Sequence, residues 1–88
     1  MNDDLALATA HALTLMGVQV GPETAVVGFD GIEETAFAPC PVTTVRQPIE
    51  EMCSLSWQFL KAQMEDPTAP FQQRILNPEL VIRDSTGA

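Results

Sequence analysis

The residue best placed for chemistry in this chain is Asp30, which ends the run Ala25-Val26-Val27-Gly28-Phe29 and is followed by Gly31. A short apolar, β-branched run that stops at a carboxylate and a glycine is how a buried parallel strand delivers a polar side chain to the carboxyl edge of a sheet. Open α/β sheets bind their ligands at that edge. An ionised carboxylate there can accept two hydrogen bonds from the hydroxyls or ring amides of a polar small molecule. The same carboxylate could instead close a turn by capping the amide of Ile32 or Glu33, and the residues alone leave both readings open.

Other chemistry-bearing residues do not assemble into a reactive set. Glu33 and Glu34 are adjacent, so on a helix they point about 100° apart and cannot converge on one small substrate; they read as a solvated acidic face. His11 has no Ser, Cys or second His spaced to complete a catalytic or metal cluster and reads as structural or solvated. Cys40 and Cys53 lack CxxC or His-rich spacing, so they read as reduced thiols and not as a zinc site or a disulfide. The chain contains no G-x-S-x-G, HExxH or P-loop pattern, and Gly28 alone is no nucleotide fingerprint. A binding module is expected here and an enzyme is not, with no cofactor and no metal.

Around Asp30, the elements that must position it can be read in order. Asp3 and Asp4 precede an Ala- and Leu-rich stretch ending at Gly17, which predicts a helix from about Asp4 to Met16 with its acids at the positive first turn. Its alanines would let a neighbouring sheet or subunit approach closely. Gly17, Gly21 and Pro22 turn the chain back. A strand is then expected over about Thr24 to Phe29, a short helical turn within Gly31 to Ala38, and a short strand over Val42 to Val45 after Pro39-Cys40-Pro41. Pro48 suits the first turn of a helix running to about Met64, and Ile49, Met52, Cys53, Ser56, Leu60 and Met64 recur at helical spacing, which predicts a core-facing helix packed on the sheet. Two further strands are expected at Phe71 to Leu76 and Glu79 to Asp84, followed by a frayed Ser-Thr-Gly-Ala end.

Length and charge bound what such a module can be. With 88 residues, 45% apolar and 18% charged, it is one small domain that buries a little over ~60% of its unfolded surface, so a thin core and marginal stability are expected. Twelve acidic against four basic residues give a net charge of -8, and the cations Arg46, Lys61, Arg74 and Arg83 stand singly. They cannot form a phosphate-tracking stripe, and no DNA binding by this chain is expected. The Met-Asn-Asp-Asp start has no basic n-region, and no apolar run approaches the ~18 residues of a membrane span. A soluble, cytoplasmic protein without a membrane partner is therefore expected.

Three segments carry a resemblance. VVGFD, PVTTVRQPIEEM and PELVIRDSTG, in that order, closely resemble the end of the effector-binding domain of LacI/GalR-family transcriptional regulators, over Asn2 to Gly87. The resemblance implies an α/β fold, part of a type I periplasmic-binding-protein-like, Rossmann-like sandwich with parallel strands and flanking helices. It implies a chain resembling the last third of such a regulator, without the helix-turn-helix reader. It implies a small-molecule effector, a sugar or similar polar metabolite, bound through Asp30, with Asn2 and Ile49 at further effector positions. Thr43, Thr44, Val45, Arg46 and Gln47 would form the crossover between two subdomains, and Leu7, Phe37 and Ala38 are candidate dimer contacts for a homodimer in the full-length context. Gly31, where a second acidic or amide residue is usual, departs from the family pattern. So does Pro39-Cys40-Pro41, in place of the common Pro-Pro pair. The alternative is part of a sugar-transport solute-binding protein, which shares the fold.

Overall fold

The structure is a computed structural model that describes residues 1–87. The chain forms two compact units, one comprising residues 1–47 with the segment from Pro78 onward, the other Pro48–Asn77.

In the first unit, helix α1 spans Asp3–Leu15, strand β1 Val27–Asp30, helix α2 Glu34–Phe37, strand β2 Thr43–Arg46 and strand β3 Glu79–Val81. The strands lie in the order β1-β2-β3. β1 and β2 run parallel, pairing Val27 with Thr43 through Asp30 with Arg46. β3 closes the other side antiparallel, pairing Thr44 with Val81 and Arg46 with Glu79. The parallel pair puts the ends of β1 and β2 side by side, which brings Asp30 next to the residues that follow β2.

The core of this unit is as thin as its length implies. Ala6, Ala10, Val26 and Val42 are its buried apolar residues, with Leu7, Leu13 and Val20 packed against them. Asp3, Thr35, Thr43, Thr44 and Ser85 are buried beside them. A half-polar interior survives only if each polar group finds a partner, and among the described residues every buried side-chain nitrogen and oxygen has one.

Ser85 shows how, and corrects the expectation of a frayed end. It lies in a single 3-10 turn, Asp84–Thr86, with no exposed surface. Its hydroxyl donates to the Val26 carbonyl at 2.6 Å and accepts from the Thr43 amide at 2.8 Å. Its own amide and carbonyl bond Pro41 O and Val26 N at 3.0 and 2.9 Å. One serine thereby ties together the amino ends of both parallel strands. Arg83 adds to this by donating to the Thr35 hydroxyl at 2.7 Å and the Val42 carbonyl at 2.9 Å.

The second unit contains one regular element, helix α3, Ile49–Glu65. Here two expectations are overturned. No residue of α3 is buried, and the stripe of Ile49, Met52, Cys53, Ser56, Leu60 and Met64 is exposed throughout. Periodicity marks the face that seeks cover; whether cover exists depends on other elements, and this unit has none. The strand expected at Phe71 to Leu76 is likewise irregular, with Phe71 and Ile75 each 93% exposed. A strand needs a ladder partner, and the only regular element of its unit is a helix.

Candidate ligand site

Asp30 is the one non-glycine with positive φ among the described residues, at 124°, and Gly31 follows at 82°. Two consecutive residues in this region make a sharp turn at the carboxyl end of β1, and such a backbone at a non-glycine costs about 1–3 kcal/mol. Gly31 cannot be replaced cheaply, because an added Cβ would lie 2.6 Å from the Arg46 Cα.

What holds Asp30 there is Gln47, the residue after β2. Its side-chain Nε2 donates to Asp30 Oδ1 at 2.7 Å, and its backbone amide donates to the Asp30 carbonyl at 3.2 Å. The bond to Oδ1 fixes the plane of the carboxylate, and the parallel register puts Gln47 within reach. The other oxygen, Oδ2, accepts no hydrogen bond among the described residues, and Asp30 is half-buried. An oriented carboxylate with one oxygen unclaimed is an acceptor for an external donor.

The turn-cap reading of Asp30, through the amide of Ile32 or Glu33, is overturned: among the described residues neither amide donates to its carboxylate, and that of Ile32 is taken by Asp3. Asp3 Oδ2 accepts from both Gly31 N and Ile32 N at 2.7 Å. Asp3 Oδ1 accepts from the Thr44 hydroxyl at 2.7 Å, and Asp3 is 1% exposed. Sequence reasoning assigned Asp3 only a favourable place near the helix dipole and so missed this role. The available signal was Gly28, a glycine inside a strand, which marks close approach of another group. A Cβ at Gly28 would run into Asp3 Oδ1.

The other candidate positions separate. Asn2 is exposed and caps α1, its Oδ1 accepting from the Leu5 amide at 2.9 Å, while its amide NH2 makes no hydrogen bond among the described residues. Ile49 is the first residue of α3, exposed, in the second unit. Thr43 and Thr44 are buried in the central strand, Val45 is half-buried, and exposed Arg46 reaches Glu79 only at 3.7 Å. The chain passes from the first unit to the second at Gln47 and Pro48 and returns at Asn77 and Pro78. Phe37 is 82% exposed, Ala38 is half-buried, and Leu7 packs partly against the core. No group of three or more His, Cys, Asp or Glu could hold a metal ion among the described residues. No helix among them is long and apolar enough to cross a membrane.

A parallel β-α-β arrangement with an oriented carboxylate at its carboxyl edge is the geometry of an α/β ligand-binding domain. A family model described as a periplasmic binding protein-like domain matches residues 1–86, and the chain belongs to that family. It is 38% identical over 86 residues to the HTH-type transcriptional repressor MelR of Bacillus subtilis (strain 168), covering 98% of this chain and 25% of that protein. Among solved structures it is similar to a lac repressor dimer bound to operator and the anti-inducer ONPF, with TM-score 0.86 and 32% identity, covering 99% of this chain and 30% of that one. It is also similar to a LacI family transcriptional regulator from Enterococcus faecium with bound ribose, with TM-score 0.89 and 26% identity, covering 98% and 32%. The chain is of the LacI/GalR sensor-domain type. It spans about a quarter of the length of the curated relatives it matches.

Proposed function

We propose that this chain supplies part of the small-molecule effector site of a LacI-type DNA-binding transcriptional regulator, and that Asp30 accepts hydrogen bonds from a polar effector, a sugar. The observation that carries this is the unclaimed Oδ2 of a carboxylate that Gln47 orients through Oδ1. A strained backbone at a non-glycine supports it, because strain persists where function keeps it. Adjacent sugar hydroxyls can donate to a single carboxylate.

In the whole regulator, Asn2 would add its free amide NH2, Ile49 an apolar contact, and Thr43 to Gln47 the crossover through which ligand binding is felt. Exposed Phe37, with Leu7 and Ala38, would contribute to a homodimer contact, and the regulator would act in the cytoplasm. DNA binding would rest on a separate reader, since a charge of -8 repels phosphate.

The test is to graft residues 1–87 in place of the matching segment of the Enterococcus faecium regulator and titrate with D-ribose by calorimetry. Asp30→Ala should weaken binding at least ~10-fold, because hydrogen bonds to a charged group are worth about 1.5–3 kcal/mol. DNA binding without sugar should persist. Equal affinity in the two grafts would remove Asp30 from the site.

A further inference from the structure

Two buried side chains and the turn that carries Asp30 form a connected arrangement that goes beyond the ligand contact itself. Asp3 lies on α1, Thr44 on β2, and the Asp30–Gly31 turn ends β1. The Asp3 carboxylate touches the other two at once, Oδ1 through the Thr44 hydroxyl and Oδ2 through the amides of Gly31 and Ile32, each at 2.7 Å.

We propose that Asp3 is a positioning residue for Asp30: by holding the Gly31 and Ile32 amides and Thr44, it keeps the turn in its positive-φ form and leaves the Asp30 carboxylate free for Gln47 and an external donor. The inference rests on the reading of Asp30 as an effector contact, yet its physical content concerns only this chain. Two amide donors follow Asp30 immediately. With no other acceptor the Ile32 amide would compete for the Asp30 carboxylate, since aspartate readily bonds the amide two residues on. That competing Asx-type turn would draw the carboxylate away from Gln47 and let φ relax toward an ordinary value. Asp3 removes the competition because it reaches both amides first.

Packing shows that the space for this carboxylate is built in. A methyl at Gly28 would occupy the place of Asp3 Oδ1, and Ala6, one turn along α1, would lie 3.3 Å from it. Two small residues thus let α1 approach β1 closely enough for a side chain as short as aspartate to reach across to Gly31 and Thr44.

The chemistry makes a sharp distinction among substitutions. In Asp3→Asn the amide oxygen can accept from Gly31 and Ile32, while its NH2 donates to a Thr44 hydroxyl rotated to accept. The turn should be kept. In Asp3→Ala both amides are released. In Gly28→Ala the carboxylate remains but its place is taken.

The experiment is NMR on the 88-residue chain well below its melting temperature, reading the Gln47 side-chain NH2 and the Asp30 amide-to-Hα coupling. Asp3→Ala should move the Gln47 NH2 signals toward those of a free glutamine, speed their exchange at least ~10-fold, the effect of about 1.4 kcal/mol, and change the Asp30 coupling. Asp3→Asn should restore all three. A purely structural Asp3 would lower the melting temperature while the Gln47 and Asp30 signals of the folded protein stayed native, and that result would overturn the proposal. If Asp3→Ala does not fold, Gly28→Ala decides by the same readouts and the same two outcomes. Failure of the wild-type site to take a sugar would count against the effector reading and leave these signals untouched.

Discussion

Asp30 and Gln47 are joined twice, side chain to side chain at 2.7 Å and backbone to backbone at 3.2 Å, so the last residue of one parallel strand is clamped by the first residue beyond the next. Gln47 is also the last residue before the chain enters the second unit. On the proposed reading, a ligand that pulls on the Asp30 carboxylate would also pull on the proposed crossover, and this pair is where binding and conformational change would meet. A ligand shifts such an equilibrium only by its differential affinity for the two states.

Strain at Asp30 can be separated from its chemistry by comparing two variants that both lack the carboxylate. Asp30→Ala keeps a Cβ at positive φ, whereas Asp30→Gly relieves it at a backbone-entropy cost of roughly 0.5–1 kcal/mol. Asp30→Gly should be the more stable of the two by about 1 kcal/mol in urea melts of the chain. Equal midpoints would show that the turn stores no strain.

Ser85→Ala should destabilise the chain far more than an exposed serine would. It leaves the buried Thr43 amide without its acceptor and the Val26 carbonyl without the hydroxyl that donates to it. Each orphaned group costs about 1–3 kcal/mol. A loss of at least about 2 kcal/mol, or roughly 10 °C in melting temperature for a chain of this size, is expected from thermal unfolding by circular dichroism.

How much of this was legible in the sequence differs by residue. Asp30 stands out as a candidate because its signal is local: an apolar run, a carboxylate and a glycine. α1 and α3 were readable from composition and period, and their ends fall within two residues of expectation. Asp3 was not, because its partners Gly31, Ile32 and Thr44 lie 28, 29 and 41 residues away and no local pattern encodes such a bond. Ser85 was misjudged for the same reason, since its partners Val26 and Thr43 are 59 and 42 residues distant. Phe71 to Leu76 failed in the opposite sense: its local pattern suits a strand, but a strand is made by its neighbour.

The end of α3 offers a prediction for pH. Asp66 Oδ1 accepts from the Thr68 hydroxyl at 2.7 Å and from the Thr68 amide at 3.1 Å. These bonds, the hydroxyl first, hold its carboxyl below the ordinary value of 3.8. A carboxyl whose value is depressed on folding favours the folded turn above its unfolded value, and that preference is lost as pH falls through the folded one. Titrating the Asp66 side chain by NMR should give a midpoint below 3.8 that rises toward it in Thr68→Val, with the amide bond retained. An unchanged midpoint would remove the hydroxyl as the main cause.

Self-association should follow from the uncovered surfaces. β1 is an edge strand of its sheet, and Trp57, the only tryptophan, is 61% exposed on a helix with no buried residue. Exposed edges and apolar faces recruit other chains. Light scattering should show mass rising with concentration, with Trp57 emission moving to shorter wavelength. A monomer with unchanged emission over that range would contradict this.

The most direct test of Asp30 as an effector contact is Asp30→Asn in the ribose-regulator graft. Asparagine tolerates positive φ and can still accept from Gln47 through its oxygen, so the clamp and the turn remain. What changes is the unclaimed oxygen, which becomes an NH2 donor without charge. The measurement is the D-ribose dissociation constant by calorimetry, alongside the melting temperature. The account predicts a loss of affinity of ~10- to 100-fold with little change in melting temperature, and an unchanged dissociation constant in the folded variant would contradict it.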